Sequence, residues 1–185
     1  VNEFDSAATR MLLACEGMTT PLLQAVARTV IRAQVDPVVD VAAGRLPASI
    51  RCALRLTARD RCRLRRSQLT AADGQTLSHN LVVAREDLDA PLRQAIGDRE
   101  TPLGFALANA GVTLRRRILR AGRARWPGSE RLSCACKTYT LDDRQGALIY
   151  ICERFNPSHI PAAIRAARWP DSVTPCCGNA VHAMS

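Results

Sequence analysis

The chain has 185 residues, 47% of them apolar, 4% aromatic and 23% charged, with a formal net charge of +9. That length fits one domain able to bury about two thirds of the surface its unfolded chain exposes, enough to enclose a pocket, and the composition excludes a largely disordered chain. No run of about 20 apolar residues occurs, which excludes a membrane-spanning helix.

Apolar residues at three- and four-residue intervals predict two short helices, Ser6 to Cys15 and Pro21 to Ala27, with Glu16 to Thr20 as a candidate site loop between them. From Val30 the pattern turns β-branched and alternating through Val41, predicting one or two strands broken at Pro37. Leu46 to Arg59 fits no single period. Cys62 to Thr70 and Thr76 to Ala84 alternate on either side of Asp73-Gly74, the clearest hairpin in the chain. A helix over Glu86 to Ile96 follows, then a second over Thr101 to Ala108 opened by Pro102, then a strand from Val112 to Ala121. Arg131 to Leu141 and Gly146 to Phe155 form a second hairpin. A short helix over Pro161 to Arg168 is expected before a loose tail to Ser185. Hairpin-linked strands with helices between them define an α+β fold, a single domain with a mainly antiparallel sheet. The domain is expected over residues 1–160, with residues 161–185 as helix and tail.

Two charged residues fall on apolar faces. Alternation puts Arg66 on the face of Leu64, with Arg65 and Ser67 opposite, so a core-facing Leu64 takes Arg66 inward with it. Ile149, Ile151 and Glu153 share a face on the last strand, so a carboxyl group ends an apolar row. A buried guanidinium requires a fixed anion, from protein or ligand. A carboxyl group in such a place tends toward a raised pKa, suited to donating a proton or hydrogen bond. The pattern is equally that of a structural Arg66–Glu153 ion pair.

Four patches in order resemble the chorismate pyruvate-lyase family. Arg66-Ser-Gln-Leu-Thr-Ala-Ala-Asp73-Gly74 resembles that family's arginine before an Asp-Gly hairpin. Ala14-Cys-Glu-Gly-Met18-Thr19 is similar to its early ligand loop. Thr101-Pro102-Leu103-Gly104, with Thr113-Leu114-Arg115-Arg116 after it, is similar to its Thr-Pro-Leu-Gly turn and the strand beyond. Cys152-Glu153-Arg-Phe155-Asn-Pro157 resembles its late acidic strand. The resemblance implies a chorismate lyase-like fold with helices covering an internal ligand cavity, and a cofactor-free lyase eliminating pyruvate from chorismate to leave 4-hydroxybenzoate. It implies Arg66 as carboxylate anchor, Glu153 as acid, Met18 and Leu103 as apolar walls and Arg116 as a second cation, with Arg66 and Glu153 catalytic. An enzyme of the same fold acting on a modified chorismate or another aromatic precursor, and a non-catalytic binder of a small aromatic acid, are the alternatives. The Arg115 to Arg117 run and the cysteines at 15 and 152 depart from the family pattern.

Arginine carries almost all the positive charge, Lys137 being the only lysine, and fixed cations favour anionic partners. A small anionic aromatic precursor is the expected one. Nucleic acid is disfavoured because the arginines are dispersed and no aromatic platform accompanies them. The related domains of bacterial transcription regulators share the implied fold, but no DNA-binding helix-turn-helix precedes it here, so a free-standing sensor is the less favoured use. Eight cysteines without a secretory leader are expected as thiols in the cytoplasm, and their spacing relative to three scattered histidines predicts no metal site. No cofactor, no membrane partner and a monomer complete the expectation.

Overall fold

A computed structural model describes residues 1–129 and 131–164. The helices are α1 (Ala7–Ala14), α2 (Thr19–Ala27), α3 (Ala48–Leu54), α4 (Ala90–Gly97) and α5 (Leu103–Asn109). The strands are β1 (Arg32–Val35), β2 (Val39–Ala42), β3 (Arg61–Thr70), β4 (Thr76–Arg85), β5 (Arg115–Arg125), β6 (Ser133–Asp142) and β7 (Ala147–Phe155). All seven strands join one antiparallel sheet in the order β1-β3-β4-β7-β6-β5, and β2 follows β1 along the same edge of β3. The expected α+β class, single domain and mainly antiparallel sheet are the architecture observed.

Local chemistry sets the element ends. In the β3–β4 turn Asp73 Oδ1 accepts from the Gln75 amide at 3.0 Å, and Gly74 takes φ +84°, a conformation that costs glycine little. Asp143 plays the same part between β6 and β7, accepting from Gln145 and Gly146. Helix α4 starts at Ala90 rather than Glu86, because Asp89 caps it by accepting from the Leu92 amide and Pro91 fits only its first turn. β5 starts at Arg115 and runs on to Arg125, past the expected end, since pairing with Ser133 to Cys136 holds residues that carry no apolar alternation. The ambiguous Leu46 to Arg59 segment contains α3, which ends on Arg55 at φ +54°.

Both faces of the sheet are covered. On one, α1 and α2 pack Leu12, Leu13 and Leu23 against Leu69, Leu77 and Phe155, while α4 and α5 pack Leu92, Ile96 and Leu107 against Val82, Leu141, Ile149 and Ile151. On the other, α3 packs Ile50 and Leu54 against Leu64, Val83 and Tyr150. Each fully buried aliphatic side chain stabilises by about 1.5–3 kcal/mol relative to exposure.

Beyond Phe155 the chain returns to the N-terminus. Ile160 and Ala162 are buried, Thr9 Oγ1 donates to the Pro161 carbonyl, and Phe4 bridges Ile164. Residues 161–164, where a helix was expected to begin, are therefore not helical. The remainder of that expected helix and the tail lie outside the described residues. No helix among the described residues is long and apolar enough to cross a membrane.

Candidate functional site

The strand register brings Ser67, Asn80, Glu153 and Lys137 into one row across β3, β4, β7 and β6. This row lies on the face covered by α1, α2, α4 and α5, where the two helix pairs meet. Glu153 is 6% exposed, and its Oε2 accepts from Thr19 Oγ1, at the start of α2, at 2.9 Å. Lys137, fully buried, holds its Nζ 3.7 Å from the same oxygen and donates to the Leu12 and Cys15 carbonyls at 3.0 and 3.3 Å. Burial lowers the proton affinity of that amine and the Glu153 carboxylate works against the loss. Tyr139, two residues along β6, is buried beside Glu153; burial, then the carboxylate, push its phenol well above the ordinary range.

Two guanidinium groups face this cluster. Arg65, 1% exposed, sends Nη2 to the Asp98 and Thr101 carbonyls, each at 3.1 Å, fixing the segment that leads into α5. Burial lowers its proton affinity while Asp98 opposes the effect, and a guanidinium stays charged under either influence. Arg116 on β5 lies over the Tyr139 ring, 4.4 Å from its centre. Its Nε and Nη1, the Nε of Arg65 and the Oδ1 of Asn80 are buried with no hydrogen-bond partner among the described residues. Such groups are costly to leave unmatched, typically 1–3 kcal/mol each.

These side chains enclose a cavity of about 40 Å³ walled by Val82, Leu103, Leu107, Leu141 and Ile151. An outer groove of about 250 Å³ adjoins it, sharing Gly104, Leu107, Arg116 and Leu141. Met18 lines the outer groove and rests so close to Gly104, which lines both, that an added Cβ there would sit 3.4 Å from its Cγ and Sδ. The inner cavity has room for a few waters, and an organic ligand needs more space than that.

Three of the five expected site residues, Leu103, Arg116 and Glu153, line the cavity, and Met18 lies in the adjoining groove. Arg66 does not join them. It is exposed, and its row is Arg66, Leu81, Cys152 and Thr138, on the sheet face opposite Glu153. The alternation was sound, but α3 buries Leu64 on the second face, so a buried Leu64 does not mark the site. Arg65 is the arginine that faces Glu153, and an Arg66–Glu153 ion pair is ruled out by the same geometry. Arg65, Asn80, Tyr139 and Lys137 were missed. The lone lysine in an arginine-rich chain was the available signal for the last.

No protein-family model matches the chain, and no curated protein is significantly similar in sequence. Solved structures are similar in fold. PhnF from Mycobacterium smegmatis superposes with a TM-score of 0.63 at 13% identity, over 84% of this chain and 71% of that one. The effector domain of the same protein gives 0.61 at 13% identity, over 78% and 91%. A GntR-family transcriptional regulator from Bacillus cereus gives 0.54 at 7% identity, over 69% and 92%. At these identities the likeness shows the fold alone: the chain shares the α+β fold of PhnF, of its effector domain and of that GntR-family regulator.

The lyase expectation is corrected by this finding. Among the similar structures are an effector domain and a transcriptional regulator, and none is a lyase by name; a fold hosts unrelated functions. The arginine on which the catalytic assignment rested points away from Glu153. Pyruvate elimination from chorismate, and an enzyme of that type, are not retained. The exclusion of nucleic acid as a partner gains no support from likeness to regulators.

Proposed function

We propose that this chain is an effector-type domain that binds a small organic carboxylate in the cavity between the sheet and its four covering helices, without transforming it. The observation that carries this is unspent hydrogen-bonding capacity. Arg65 and Arg116 line the cavity and carry buried N–H groups with no partner among the described residues, and Glu153, the carboxylate that lines it, is already engaged by Thr19 and Lys137. A ligand carboxylate supplies the missing acceptor through short, charge-assisted bonds. Glu153 and Asn80 are left to accept from a ligand hydroxyl, and the ring of Tyr139 with Leu103, Leu107 and Ile151 suits a small aromatic or cyclic body. Met18 closes over it from the outer groove.

Arg116 replaces Arg66 as the expected anchor, with Arg65 holding the adjoining backbone. The six described cysteines are free thiols, which suits a cytoplasmic domain sensing a metabolite. Calorimetric titration with benzoate and 4-hydroxybenzoate tests the reading: saturable binding is expected, weakened about tenfold or more by Arg116→Ala. No binding to either acid, or equal binding by that variant, overturns it. Incubation with chorismate is expected to release no pyruvate.

A further inference from the structure

The opposite face of the sheet carries a second concavity. Beside the start of α3, a groove of about 490 Å³ opens over the rows that contain Arg66, Leu81 and Cys152 and then Gln68, His79 and Arg154. This volume is in the range of small-molecule sites. Its floor is apolar, built from Leu46, Ile50, Leu64 and Leu81, and its rim is cationic, with Arg45, Arg66 and Arg154 against one acid, Asp36. Arg45 and Arg66 have no side-chain hydrogen bond or ion pair among the described residues. Arg154 reaches the Arg125 carbonyl only at 3.4 Å. His79, held edge-on by Trp126 with ring centres 4.7 Å apart, closes one end. Burial and the charge of Arg154 lower the proton affinity of His79, leaving it a neutral hydrogen-bonding group near pH 7.

The spacing selects the kind of anion. Arg66 and Arg154 stand two strands apart and two residues out of step, so their backbones are roughly 12 Å apart, within the combined reach of two arginine side chains. One carboxylate satisfies one guanidinium fork, whereas a phosphate monoester presents three terminal oxygens and two charges to several. A stripe for nucleic-acid backbone would continue along the surface; here the cations gather around one groove with an apolar floor.

We propose that this groove is a second binding site, independent of the inner cavity, for a small organic phosphate monoester whose apolar body lies on Leu46, Ile50 and Leu81 while Arg45, Arg66 and Arg154 hold the phosphate. The probe is phenyl phosphate, titrated by calorimetry into the full chain, with phenol and inorganic phosphate as separate arms. Saturable binding is expected, weakened about tenfold by Arg66→Ala and by Arg154→Ala, and unchanged in Arg116→Ala. Phenol is expected not to bind and inorganic phosphate to bind more weakly. A second reporter is the fluorescence of Trp126 in a Trp169→Phe background, which is expected to change on binding. Absence of binding, wild-type affinity in both groove variants, loss in Arg116→Ala, or inorganic phosphate binding as tightly as the ester each overturns the proposal.

Discussion

Arg65 and Arg66 are consecutive on β3 and serve opposite layers of the molecule. Arg65 is buried and bonded to the Asp98 and Thr101 carbonyls, and Arg66 is exposed in the groove beside α3. Truncating them therefore has unequal cost. Arg65→Ala strands two acceptors and opens a hole, with an expected loss of about 2–4 kcal/mol. Arg66→Ala is expected to stay within about 0.5 kcal/mol of wild type. Urea unfolding midpoints at neutral pH compare the two.

Lys137 links β6 to the end of α1 and to Glu153. Lys137→Met leaves the buried carboxylate and two carbonyls without that partner, and a loss of about 3–5 kcal/mol is expected. Adding Glu153→Gln removes the stranded charge. The double variant is expected to recover part of the loss, and a double-mutant cycle from chemical denaturation measures the coupling.

Burial, with a further contribution from Cys136, pushes the Cys134 thiol from its ordinary 9.0 up to about 11. The folded state then holds a proton that the unfolded state has released. The resulting stability is present below pH 9 and is lost as pH rises through 11. Relative to Cys134→Ala, which lacks the group, the wild type is expected to lose roughly 1 kcal/mol between pH 8 and pH 10. Parallel pH series of unfolding curves isolate this difference from other titrations.

Gly104 lies in the first turn of α5 with Met18 against it, and an added methyl would meet the flexible end of that side chain at 3.4 Å. Gly104→Ala is therefore expected to change stability by no more than about 1 kcal/mol, since helix propensity offsets the contact. Gly104→Leu is expected to displace the Met18 side chain from its place against α5. The Met18 methyl resonance, followed by NMR, reports the displacement.

Strand alternation, the Asp73-Gly74 turn and the break at Pro37 carried most of the architecture, because each acts over a few residues. Glu153 was legible for the same reason: it stands in an apolar row on β7, between Ile151 and Phe155, and that strand is largely buried on both faces. Arg65 was not legible. Choosing between neighbouring residues on β3 requires knowing which face each helix covers, and α3, the element that buries Leu64, came from the stretch with no clear period. The partners of Glu153 come from Thr19 and Lys137, 134 and 16 residues away in the chain. No local pattern encodes such a meeting. The lyase assignment failed differently: it rested on short patches and on Arg66, and a fold hosts unrelated functions.

The two margins of the sheet bear on how the chain survives at high concentration. On one, β1 and β2 offer only four residues apiece, parted by Asp36, Pro37 and Val38, so an incoming strand finds no continuous ladder to extend. On the other, β5 is long enough to act as a template, but it exposes Arg115, Arg117, Arg120, Arg123 and Arg125. Stacking a second copy there would crowd like charges at short range. The arginine excess thus doubles as a guard against amyloid-like growth. Replacing Arg115, Arg120, Arg123 and Arg125 with threonine would remove most of that guard while keeping the Arg117–Asp142 ion pair.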